Sequence, residues 1–75
     1  MSFQAYLDTI KQKTGLGPDE LKALADKQGF SEDGRLKPDT KAGQIVEWLG
    51  AEFGLGRGHA MAIYALLKGH KKPGD

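Results

Sequence analysis

Apolar residues recur at helical spacing in four places along the chain. Phe3, Tyr6, Leu7 and Ile10 fall at i, i+3, i+4 and i+7, with Ser2 placed as an N-cap and Gly15 and Gly17 as stops. Pro18 suits a first helical position, and Asp19 and Glu20 suit a first turn. Leu21, Leu24 and Ala25 continue that second stripe to Gly29, a C′ residue with Phe30 packing behind it. Asp39 or Thr40 can cap a third helix, whose inward residues are Ala42, Ile45, Val46, Leu49 and Phe53. Trp48 sits on the edge of this stripe and is expected half exposed. Gly54 and Gly56 end the helix, and a fourth begins near Arg57 with Ala60, Ile63, Tyr64 and Leu67 on one face. Met61 and Leu66 lie beside that face.

Between the second and third helices, residues 31–37 are polar, with Gly34 at a turn and Pro38 blocking backward extension of a helix. No segment shows the period-2 alternation of a strand. The expectation is all-α: four short helices, no sheet, one domain over residues 1–70, and a frayed tail at 71–75.

A shift of 39 residues aligns the two halves: Tyr6, Leu7 and Ile10 fall on Ile45, Val46 and Leu49, and Gly15-Leu16-Gly17 falls on Gly54-Leu55-Gly56. Each half reads helix, Gly-Leu-Gly, helix. One glycine can take positive φ to end a helix, the leucine can tuck between helices, and the second glycine permits a tight bend. Such a unit cannot bury its apolar face alone, so two are expected to pack together. Gly-X-Gly is also an ordinary helix connector, so duplication stays open.

Composition narrows the possibilities. A chain of 75 residues buries only roughly 60% of its extended surface. It has no cysteine, so apolar packing must hold it. No apolar run approaches the ~20 residues of a membrane span, and the N-terminus lacks signal-peptide character, which points to a cytoplasmic location without membrane attachment. The net charge of +1 selects no partner, but its distribution is uneven. Residues 54–74 carry Arg57, Lys68, Lys71 and Lys72 and no acid. That suits a phosphate-bearing partner, and equally a helix C-terminus whose dipole favours cations.

No catalytic constellation is visible, so no enzyme and no cofactor are expected. A calcium loop counted from Gly34 puts Gly29 and Thr40 where carboxylates are needed. His59 and His70 are eleven residues apart, about 16 Å along a helix, too far to share a metal. His59 suits a phosphate contact, or simply a polar helix start.

Gly54-Leu55-Gly56-Arg57-Gly58-His59-Ala60-Met61-Ala62-Ile63 resembles the helix-hairpin-helix motif of DNA-binding proteins, with Ala60 and Ile63 at its small and apolar positions. The resemblance implies backbone amides at Gly56, Arg57 and Gly58 that hold a phosphate without reading sequence. Phe53 departs from the proline usual before that hairpin, and the first copy loses an amide at Pro18 and gains Asp19 and Glu20, whose charges would repel phosphate.

The chain as a whole, through Ser2–Leu7, Lys41–Leu49 and Phe53–Ala62, resembles the family catalogued as domain of unknown function 4287. That resemblance implies bacterial origin and occasional fusion to other domains, and no activity. Two functions follow as expectations for a monomeric domain. The first is sequence-independent nucleic-acid binding through Gly54, Gly56, Arg57, Gly58, His59, Lys68, Lys71 and Lys72. The alternative is a protein-interaction or adaptor module with a groove near Trp48 and no nucleic-acid role.

Overall fold

Three of the four helices begin where a side chain accepts a local hydrogen bond, and each of the four ends at a left-handed glycine. In the computed structural model, which describes residues 2–74, the elements are α1 (Phe3–Thr14), α2 (Pro18–Gln28), β1 (Ser31–Glu32), β2 (Arg35–Leu36), α3 (Ala42–Phe53) and α4 (Arg57–Lys68). The fold is predominantly all-α, as the periodicity predicts. Ser2 Oγ accepts from the Ala5 N–H at 3.2 Å to start α1. Gly29 stands at φ 86°, and the Phe30 N–H reaches back to the Ala25 carbonyl at 3.0 Å, closing α2 with a six-residue cap.

The segment expected to be an irregular loop is a small antiparallel hairpin, which corrects the expectation of no sheet. Ser31 pairs with Leu36 and Glu32 with Arg35. The two turn residues, Asp33 and Gly34, have φ of 53° and 79°, the backbone of a two-residue primed turn that Asp-Gly favours. Strands of two residues are too short to show alternation, so the turn dipeptide is the legible signal.

Asp26 on α2 clamps the hairpin. Its carboxylate accepts from Ser31 Oγ, and from the Gly34 N–H at 3.0 and 3.2 Å. These bonds, the Ser31 hydroxyl first, hold the Asp26 carboxyl below its ordinary pKa, with Lys37 adding a smaller attraction and burial opposing.

A second correction concerns the start of α3. The Lys37 carbonyl accepts from the Thr40 N–H at 3.0 Å, which commits residues 37–40 to a turn. Neither Asp39 nor Thr40 therefore caps the helix. Lys41 is the N-cap residue, and its own N–H donates to Gln44 Oε1 at 2.7 Å.

Ile10, Leu21, Ile45, Leu49, Ile63 and Leu67 are the largest fully buried side chains. They converge on α4, which packs against α3, α1, α2 and β2. That central position explains why Leu66, expected beside the stripe, is also buried. Trp48 is buried rather than half exposed, at 9% relative exposure, because Phe30 and Phe53 flank its ring with centroids at 5.3 and 6.4 Å.

The sequence repeat reappears as a repeat of backbone. α1 and α3 are both 12 residues long and start 39 positions apart. Their closing glycines, Gly15 and Gly54, have φ of 77° and 67°, and Gly17 and Gly56 are both extended. The packing differs between copies. α3 folds back on α4, whereas α1 rests chiefly on α4 and α2 chiefly on the hairpin. Among the described residues, no helix is long and apolar enough to cross a membrane. Of the expected frayed tail, residues 71–74 are described and Asp75 lies outside the described residues. The Gly74 N–H donates to Gln4 Oε1 at 2.7 Å, which brings the tail back against α1.

Candidate phosphate-binding site

The α3–α4 corner is set by one buried leucine between two glycines. Leu55 is 4% exposed and anchors the corner in the core. The Gly54 N–H donates to the Gly50 carbonyl at 3.0 Å and the Leu55 N–H to the Leu49 carbonyl at 3.4 Å. Gly54 therefore spends its amide closing α3 and has none to offer a ligand. Its contribution is the left-handed turn.

Beyond Leu55 the backbone is open. Gly56, Arg57 and Gly58 are exposed. The Ala60 N–H makes the first intrahelical bond, to the Gly56 carbonyl at 3.0 Å. The amides at positions 57–59 precede that bond and have no acceptor within the helix. Among the described residues, α4 has no side-chain cap and no acid in its first turn.

The first copy of the corner shows what is missing here. At α2 the Gly17 N–H donates to Glu20 Oε1 at 3.1 Å, so a carboxylate of the chain itself occupies the helix start. Thirty-nine positions on, Glu20 becomes His59 and Pro18 becomes Arg57. His59 is half buried and sets its ring edge-on to Tyr6 at 5.3 Å and 77°, tying α4 to α1. The second corner thus keeps the backbone of the first, loses its internal anion, and gains an exposed guanidinium.

The lysines expected to join this site divide into separate places. Lys68 closes α4 eleven residues after Arg57, roughly 16 Å along the axis, so the fold does not bring the two together. Its Nζ lies 5.5 Å from the centroid of the Tyr64 ring. Lys71 lines a shallow depression that also includes Gly58, Tyr6 and Met61, which returns one tail lysine to the side of the corner. Lys72 borders a different depression, beside Lys22, Asp33 and Arg35, and Lys71 lines that one as well.

The sequence reading missed Arg35 and Lys37. They share a cleft of about 370 Å³ with Lys68. The Asp33-Gly34 turn could have placed Arg35 on a hairpin strand, but its meeting with α4 is a long-range contact that no local pattern carries. Among the described residues, no group of three or more His, Asp or Glu residues is arranged to hold a metal. No curated protein and no solved structure matches the chain. The sequence does match, over residues 2–69, the family described as Domain of unknown function (DUF4287), and the chain belongs to that family.

Proposed function

We propose that this domain binds the phosphate backbone of nucleic acid, without reading sequence, at the start of α4. The observation that carries the reading is the contrast between the two corners: one backbone geometry, filled by Glu20 in the first and open beside Arg57 in the second. Exposed N–H groups at a helix start carry partial positive charge and attract oxyanions. Arg57 adds a planar set of donors matched to phosphate oxygens, and Lys71 adds a positive charge across the neighbouring depression. Such contacts touch no base edge, so they position a strand without discriminating among sequences. In this reading the domain acts as a monomer with no catalytic step.

Fluorescence anisotropy with labelled oligonucleotides at graded salt tests the proposal. Affinity should fall as salt rises, with a shallow slope set by the few phosphates contacted. Arg57→Ala should weaken binding equally for unrelated sequences. His59→Glu should restore the internal carboxylate, cap α4 as Glu20 caps α2, and abolish binding while the helix is retained by circular dichroism. No binding at low salt, or unchanged binding by His59→Glu, overturns the reading.

The alternative, a protein-interaction module with no nucleic-acid role, keeps one observation in its favour. A shallow groove lined by Phe30, Gln44, Glu47, Trp48 and Ala51 runs along α3. Arg57→Ala would leave that activity untouched.

A further inference from the structure

We propose that the cleft between β2 and the C-terminal end of α4 is a second anion site, which takes a phosphate group through Arg35, Lys37 and Lys68. The cleft, of about 370 Å³, has room for a phosphate group. Among the described residues, its wall carries these three cations and no carboxylate. Leu36, Pro38 and Tyr64 supply apolar surface beside them, enough for more than a bare ion.

The backbone that carries the cations is held in place by the fold. Arg35 lies opposite Glu32 in the register of the hairpin, and that hairpin is clamped to α2 by Asp26 through the Gly34 N–H. The Lys37 N–H donates to the Phe30 carbonyl at 3.0 Å, fixing the strand exit. Lys68 is steered by the Tyr64 ring 5.5 Å away. Asp26 attracts Lys37 and offsets part of its charge, but its carboxylate is already engaged by Ser31 and Gly34. Glu32, opposite Arg35 across the hairpin, likewise offsets part of that guanidinium's charge, but neither Glu32 nor Asp26 lines the cleft. Arg35 also borders an adjoining depression with Lys22, Asp33, Lys71 and Lys72, whereas on the outer side of the hairpin Glu32 and Asp33 balance Arg35 and Lys37. A cleft lined by cations attracts an oxyanion, and a bound phosphate would neutralise charge that the lining itself does not.

Phosphate is the shared chemistry of two sources, a small phosphorylated molecule and a nucleic-acid backbone. The site is separate from the start of α4, so the two proposals stand or fall independently. The test follows backbone amide shifts of the whole domain during titration with inorganic phosphate, a 5′-mononucleotide, and a short single-stranded oligonucleotide. Saturable shifts at residues 35–40 and 64–68 are expected in at least one arm, and at least tenfold weaker binding there in the Arg35→Gln/Lys68→Gln double variant. Response to phosphate or mononucleotide assigns a small ligand, and response to the oligonucleotide alone assigns a backbone. The Gly34 amide resonance reports whether the hairpin survives the substitutions, and Lys68→Gln alone provides a variant outside the hairpin. No shift at these residues in any arm, or equal binding by wild type and both variants, overturns the proposal. Shifts confined to residues 54–59 overturn it while supporting the α4 site.

Discussion

Leu16 and Leu55 occupy the same place in the two Gly-Leu-Gly corners, yet their burial differs, and that difference predicts unequal consequences of truncation. Leu55 is 4% exposed, and α4, which it positions, packs against three other helices and β2. Leu16 is only half buried, because α1 and α2 do not fold back on each other as α3 and α4 do. Truncating a buried leucine to alanine removes about 2–5 kcal/mol, through lost transfer energy and the cavity left behind. For Leu55→Ala we expect about 3 kcal/mol, and for Leu16→Ala about half that. Unfolding entropy of about 2.1 cal/mol/K per residue over 75 residues converts these to falls in Tm of roughly 15–20 °C and under about 10 °C. A domain of this size has a total stability of only about 4–11 kcal/mol, so the first loss removes a large share. Urea and thermal unfolding, followed by far-ultraviolet circular dichroism and by the single tryptophan, measure both variants. Equal losses, or a larger loss for Leu16→Ala, would refute the asymmetric packing of the two corners.

Three further expectations follow from the local geometry. Gly54→Ala must hold φ near 67° and should destabilise by about 1–2 kcal/mol, whereas Gly56→Ala, at φ −70° with open space around it, should lower Tm by much less. Asp26 has a lowered pKa in the folded state, so its contribution is complete above the ordinary carboxylate range and fades as pH falls through the folded value. The Gly34 amide resonance should report that loss during acid titration, and Asp26→Asn should remove the pH dependence; an acid response retained in Asp26→Asn would place its origin elsewhere. Trp48, flanked by Phe30 and Phe53, should resist quenching by acrylamide in the native domain and become accessible on unfolding. Efficient native-state quenching would contradict its burial.

The four helices were legible because their signals are local. Ser2, Pro18, Gly15, Gly29 and Gly54 mark helix ends through backbone geometry that each residue type favours by itself, and the 3.6-residue spacing of Phe3, Leu7 and Ile10 needs no tertiary knowledge. The 39-residue echo was likewise visible, and so was the open character of the second corner, since Glu20 and His59 differ in the sequence itself. The hairpin was written in Asp33-Gly34 but hidden by strands of two residues. What only the tertiary structure decided rests on contacts between distant segments. Trp48 is buried because Phe30, eighteen positions earlier, returns to cover it. Lys68 and Arg57 are parted by the length of a rigid helix, while Arg35 and Lys37 are carried to Lys68 by a hairpin that Asp26 fastens to α2. Periodicity tells which face of a helix turns inward, because that follows from backbone geometry. It does not tell which neighbour meets that face, because that is settled by the joint packing of the whole chain.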